Sequence, residues 1–192
     1  MKKTADKIVI IGGSAGSFTL ITEILKKLPQ QIDYALCIVI HRSSTFNTKI
    51  ETSLSKKLNR PVVSVTDKTE IRDGYIYFAP AGYHLLVEPD RTFSLDSSEH
   101  VNFSKPSIDV LLETSAQVYR ENCKAFLFSG ANIDGARGLS TVEYFGGKTF
   151  IQDPDEALIN TMPLSGIQEA TAATVLKNQE IIRYFCYNLF LT

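Results

Sequence analysis

The sequence predicts an α/β fold: a doubly wound, mostly parallel sheet with helices on both faces and a short antiparallel hairpin region. Three observations carry that expectation. Tyr34–Ile40 is a nearly unbroken apolar run without the polar alternation of a half-exposed strand, as a strand buried on both faces of a parallel sheet requires. Between it and an earlier run, Ile8–Ile11, apolar residues recur at Leu20, Ile21, Ile24, Leu25 and Leu28, the spacing of one helical face, which makes a strand–helix–strand unit. Farther on, Asp73-Gly74 and Ala81-Gly82 cut 67–87 into short strand-like pieces, the signal for antiparallel hairpins.

Taken in order, the first strand stops in Gly12-Gly13-Ser14-Ala15-Gly16, a sharp turn into a helix from Phe18 to Leu28 that Pro29 ends. The buried strand ending at His41 leads to a polar helix over 48–58 and a short strand at Val62–Val65. Beyond the hairpin region, Arg91–Ser104 is polar and reads as loop, and Pro106 suits the first turn of a helix running to Tyr119. Lys124–Phe128 reads as another buried strand, entering the polar glycine turn Ser129-Gly-Ala-Asn-Ile-Asp-Gly135 before a helix to about residue 145. Lys148–Gln152 is a further strand, Asp153–Pro163 a loop, and one or two helices follow from Leu164. The aromatic stretch Ile181–Thr192 reads as packed rather than as an interaction surface. With no repeat, low-complexity tract or linker, residues 1–192 are expected to form a single domain.

At 192 residues the chain is long enough for one well-filled core, and 44% apolar with 21% charged residues is ordinary for a globular protein. A net charge of −1 gives no reason to expect nucleic acid or an anionic membrane as partner. The opening Met1-Lys2-Lys3-Thr4 looks like the start of a secretion signal, but Asp6 and Lys7 interrupt it and the apolar run is too short. No segment approaches the roughly 20 apolar residues of a membrane span, so direct membrane insertion is not expected. Cys37, Cys123 and Cys186 have no metal-ligand spacing and fit a reducing compartment, which makes the cytoplasm the expected location. Asp153, Asp155 and Glu156 read as a solvated loop rather than a metal site.

Three predicted strands run into Ser14, His41 and the turn that carries Asp134. In open parallel sheets ligands bind beyond the carboxyl ends of the strands, so the three could face one crevice. Acyl transfer needs a hydroxyl, an imidazole to take its proton, and a carboxylate to orient that imidazole, and the chain offers one of each. Each residue also has a plainer reading. A glycine-rich strand-to-helix turn often cradles phosphate, although this one lacks the G-x-G-x-x-G spacing, has His41 where a ribose-binding acid is expected, and is no P-loop. His41 alone fits a packed or surface histidine, Asp134 before Gly135 fits an Asx turn or helix cap, and His84 and His100 are lesser candidates.

Several collinear blocks go further: Ile-Gly-Gly-Ser-Ala-Gly at 11–16, Val-Ile-His at 39–41, Tyr-Phe-Ala-Pro-Ala-Gly-Tyr-His at 77–84, Lys-Pro-Ser-Ile-Asp-Val-Leu-Leu at 105–112, Ser-Gly-Ala-Asn-Ile-Asp-Gly-Ala-Arg-Gly at 129–138, and Met162-Pro163. With them the chain resembles the catalytic domain of the CheB-type protein-glutamate methylesterases of chemotaxis. That resemblance implies Ser14 as nucleophile, His41 as base and Asp134 as its orienting acid, with backbone N–H groups of Ala15 and Ala131 as the oxyanion hole. It implies a serine esterase that converts glutamyl methyl esters on chemoreceptor cytoplasmic helices to glutamate and methanol, with deamidation of receptor glutamines, as in some relatives, a further expected activity, and it implies no metal or organic cofactor. Alternatives are an esterase of the same fold acting on another protein or small ester, and a non-catalytic binding domain.

The chain departs from the family pattern at Ala15, where a hydroxyl residue is common, and at Ala131, where methionine is common. It also has Gly16-Ser17 for Gly-Gly, and Ser104-Lys105 for His-Arg. A counterpart of the family's receiver domain is not expected within residues 1–192, so constitutive activity, or control by a separate response-regulator partner or by expression, is expected.

Overall fold

The computed structural model describes residues 3–41 and 50–187. In chain order its elements begin with β1 (Ile8–Gly13), α1 (Ser17–Lys27), β2 (Ala35–Ile40), α2 (Ile50–Leu58), β3 (Val62–Ser64), β4 (Ile76–Phe78), β5 (His84–Val87) and β6 (Phe93–Asp96). They continue with α3 (Ile108–Tyr119), β7 (Cys123–Leu127), α4 (Ala136–Tyr144), β8 (Lys148–Gln152), α5 (Thr161–Glu169), β9 (Thr174–Leu176) and α6 (Asn178–Cys186). Among the described residues, seven strands form one parallel sheet in the order β3-β4-β2-β1-β7-β8-β9, while β5 and β6 pair antiparallel in a separate sheet.

Period-two alternation along β1 explains the two layers. Ile8 and Ile10 join a core with Leu111 and Leu112 of α3, Leu139 of α4, Met162 of α5 and Phe93 of the hairpin. Val9 and Ile11 face the opposite way, against Ile21 and Ile24 of α1 and Ile181 and Phe185 of α6. Strands covered on both faces have no use for polar alternation, which is why Ala35–Val39 is wholly buried. The chain winds outward from β1 through β2 to β3 and β4, then returns to β7 on the other side of β1. The direction of winding therefore reverses at the centre of the sheet, and in open parallel sheets such a switch point is where ligands bind, beyond the carboxyl ends of the strands.

Several boundaries differ from the sequence reading. Ile76–Phe78 is not half of a hairpin but a parallel strand between β2 and β3, and the hairpin partner of His84–Val87 is β6, inside the stretch read as loop. Pro106 lies outside α3, because Ser107 is its N-cap. Met162 and Pro163 belong to the first turn of α5, and a short edge strand, β9, separates it from α6. Ile181 and Phe185 are buried, Phe185 tilted against Phe126 at 4.8 Å, which supports packing for the described part of the terminal stretch. The start of the expected helix over 48–58 and the residues after Tyr187 lie outside the described residues. Among the described residues no helix is long and apolar enough to cross a membrane.

Candidate active site

Ser14, His41 and the turn holding Asp134 leave three neighbouring strands. Gly13 is in register with Ile40, so Ser14 and His41 are the next residues on strands about 4.8 Å apart. The His41 N–H donates to the Gly13 carbonyl at 3.2 Å, and the Ser14 N–H donates to the Ser129 carbonyl at 2.9 Å, extending the pairing of β1 with both neighbours beyond the strands. The turn after Ser14 then needs glycine. Gly16 sits at φ 88°, and a Cβ there would come within 2.6 Å of Leu158 and 2.7 Å of the Ser129 hydroxyl. Ser17 closes the turn, its hydroxyl donating to the Ser14 carbonyl at 2.7 Å.

His41 and Asp134 form a pair, with Nε2 and Oδ2 2.7 Å apart, the carboxylate fully buried and the imidazole side chain 15% exposed. Three further donors hold Asp134: the Ile108 N–H to Oδ2 at 2.7 Å, and the Ser107 hydroxyl and Asp109 N–H to Oδ1 at 2.7 and 3.1 Å. The acid thus occupies the amino end of α3, where unpaired N–H groups and the helix dipole favour negative charge. Asp109 returns the arrangement. Its Oδ1 accepts the Gly135 and Gly138 N–H groups at the start of α4, at 2.9 and 2.7 Å, and its Oδ2 accepts the Asn102 amide at 2.8 Å. Burial pushes the Asp109 carboxyl up to about 6, against the pull of the Gly138 N–H and with added repulsion from Asp134.

Among the described residues the Ser14 hydroxyl makes no hydrogen bond, so the serine–histidine link is not closed in this structure. The N–H groups of Ala15 and Ala131 likewise have no partner among the described residues. Gly130 packs the second turn against the first: a Cβ there would lie 2.5 Å from Met162 Cε and 3.0 Å from Ser14 Cβ. Its N–H donates to the Ile159 carbonyl and its carbonyl accepts from the Met162 N–H, fixing the peptide that precedes Ala131.

A fold of this type is also found in known proteins. The sequence profile of the CheB methylesterase family matches residues 9–185. The chain belongs to this family. It is 40% identical over 177 residues to a putative protein-glutamate methylesterase/protein-glutamine glutaminase of Leptospira interrogans, covering 92% of each chain. A protein of the same name from Thermotoga maritima is 29% identical over 178 residues, which are 91% of this chain and 52% of that protein. The crystal structure of the Thermotoga maritima CheB methylesterase catalytic domain superposes with a TM-score of 0.86 at 28% identity, covering 94% of this chain and 97% of that one.

The Ser104-Lys105 pair is turned to local work. Lys105 Nζ donates to the Ser97 and Ser98 carbonyls, and the Ser104 hydroxyl accepts the Asn132 amide at 2.8 Å. His100 is exposed, whereas His84 is buried and bonded to the backbone of Ser107. Sequence reasoning missed Ser107 and Asp109 as parts of the site. Their signal was an Asp two residues after an N-cap serine, on the face of α3 that otherwise carries Ile108, Leu111 and Leu112. Among the described residues no group of three His, Cys, Asp or Glu side chains could hold a metal ion.

Proposed function

We propose that this chain is a serine esterase that hydrolyses glutamyl methyl esters on the cytoplasmic helices of chemoreceptors, and that it deamidates receptor glutamines with the same groups. The observation that carries the reading is the His41–Asp134 hydrogen bond, set beside Ser14 at the carboxyl ends of β1 and β2. Ionised Asp134 can only accept, so it keeps the His41 proton on Nε2 and leaves Nδ1 as the base. Nδ1 takes the Ser14 proton as Oγ attacks the ester carbonyl. The oxyanion is met by the Ala15 and Ala131 N–H groups, which a backbone can supply whatever the side chain. Collapse expels methanol with the proton from His41, water attacks the acyl-serine with His41 again as base, and glutamate leaves. No step uses a metal or organic cofactor.

The test is methanol release from methylated chemoreceptor fragments by the native chain and by Ser14→Ala, which should lose several orders of magnitude. Equal rates would remove Ser14 from the mechanism. The commitment of Lys105 to the Ser97 and Ser98 carbonyls favours a second reading, in which the same chemistry serves a different methyl ester. Preference for that ester over receptor fragments would select it.

A further inference from the structure

We infer that His84 is a positioning residue for the triad: it fixes Ser107, and through Ser107 the Asp134 carboxylate that orients His41. The inference rests on the triad reading above. His84 opens β5 and is 1% exposed. Its two ring nitrogens have opposite duties. The Ser107 N–H donates to Nδ1 at 3.2 Å, so Nδ1 must carry a lone pair, and Nε2 faces the Glu99 carbonyl at 2.8 Å, so Nε2 must carry the proton. The environment therefore selects one neutral tautomer.

What that tautomer holds is the N-cap of α3. The N–H of an N-cap residue has no partner within its helix, and in a buried site it would be left unpaired at a cost of about 1–3 kcal/mol. His84 supplies the missing acceptor from a separate hairpin. Ser107, so held, donates its hydroxyl to Asp134 Oδ1 at 2.7 Å, and the next two N–H groups of the same turn donate to Asp134 as well. Three of the four hydrogen bonds on the acid thus come from a segment whose entry His84 pins. A shift of that turn moves the carboxylate, and displacement of a catalytic group by about 1 Å can cost on the order of a hundredfold in rate.

A merely packed histidine would affect stability without caring which nitrogen is replaced. The chain's own geometry makes the nitrogens unequal: asparagine places an oxygen near Nδ1 and can accept the Ser107 N–H, whereas glutamine reaches towards Nε2 and cannot. In ester hydrolysis, H84N should keep kcat within about threefold, and H84Q should lose roughly tenfold to a hundredfold in kcat with KM within twofold. Ser107→Ala combined with H84Q should lose little more than the worse single variant, because both act on one carboxylate. Equal kcat for H84N and H84Q, a loss confined to KM, or additive losses with Ser107→Ala would overturn the inference. If H84Q does not fold, H84A assayed at low temperature in the same cycle with Ser107→Ala carries the test, additivity again overturning it. Ser14→Ala is run alongside: activity in that variant would defeat the triad reading itself, a result distinct from failure of the His84 comparison.

Discussion

Replacing Asp134 by Asn preserves shape and removes charge, and the hydrogen bonds decide which way the new amide points. With its NH2 at the Oδ2 position it would oppose the Ile108 N–H at 2.7 Å and force His41 to accept through Nε2, moving the ring proton to the nitrogen needed as base. With its NH2 at the Oδ1 position, the Ser107 hydroxyl can turn to accept, and only the Asp109 N–H, at 3.1 Å the longest of the four bonds, loses its acceptor. The second arrangement costs one unpaired N–H, about 1–3 kcal/mol, while the first costs that and the tautomer as well. D134N therefore keeps the productive tautomer and loses mainly the charge that stabilises the imidazolium. At about 2–3 kcal/mol for a charge-assisted bond, kcat should fall roughly 30- to 150-fold, with KM little changed. Urea unfolding should show the stability loss of about 1–3 kcal/mol. A loss near 10⁴, the magnitude seen when a triad histidine is locked in the wrong tautomer, would refute this ranking of orientations. Unchanged kcat would refute a role for Asp134 in the chemistry.

Asp109 sets a pH dependence of stability. With its carboxyl held at about 6, above its ordinary value of 3.8, the folded chain binds that proton more tightly than the unfolded chain. Its contribution is complete below about pH 4 and is lost as pH rises through about 6, by about 3 kcal/mol at most. In Asp109→Asn, whose oxygen can keep the Gly135 and Gly138 N–H groups while the Asn102 amide turns over, urea midpoints should vary less between pH 4 and 8, and a variant with the native slope would exclude Asp109 as its source. Gly130→Ala forces a methyl against Met162 and Ser14, so thermal unfolding should register a loss of about 1–3 kcal/mol together with reduced kcat, and a fully active, equally stable variant would show that the two turns are not packed as described. Phe126 stacks on Phe150 at 4.6 Å and tilts against Phe185 at 4.8 Å, so Phe126→Ala should cost about 3–5 kcal/mol in unfolding, and a loss below 1 kcal/mol would contradict the buried cluster.

Much of this architecture is written in local pattern. Tyr34–Ile40 announces a doubly covered strand because burial on both faces leaves no room for alternation, and Ser14 and His41 are legible because each follows directly on such a strand. The strands that escaped notice have the opposite character. In Phe93–Asp96 only Phe93 is buried, and Thr174–Leu176 is a short edge strand with its first two residues exposed, so neither needs a strongly apolar sequence. The supporting residues were hidden for a different reason. His84 meets Ser107 across 23 positions and Asp109 meets Gly138 across 29, and such contacts arise only once the sheet has brought α3, α4 and the hairpin together. What was visible at Asp109 was a carboxyl on an apolar helix face, which by itself marks a buried partner without naming it.

Because Asp134 seats the start of α3 and Asp109 seats the start of α4, the two helices are buttoned to each other through the proposed acid of the triad. Ser14, whose hydroxyl makes no hydrogen bond among the described residues, has no such second duty there. Loss of catalysis and loss of stability are thereby divided between residues: a descendant of this chain that gave up hydrolysis could discard the serine at little cost to its shape, whereas discarding the acid would also loosen the start of α3. In an inactive relative, a surviving aspartate at this place would record architecture, and under the proposed mechanism only the serine would record use.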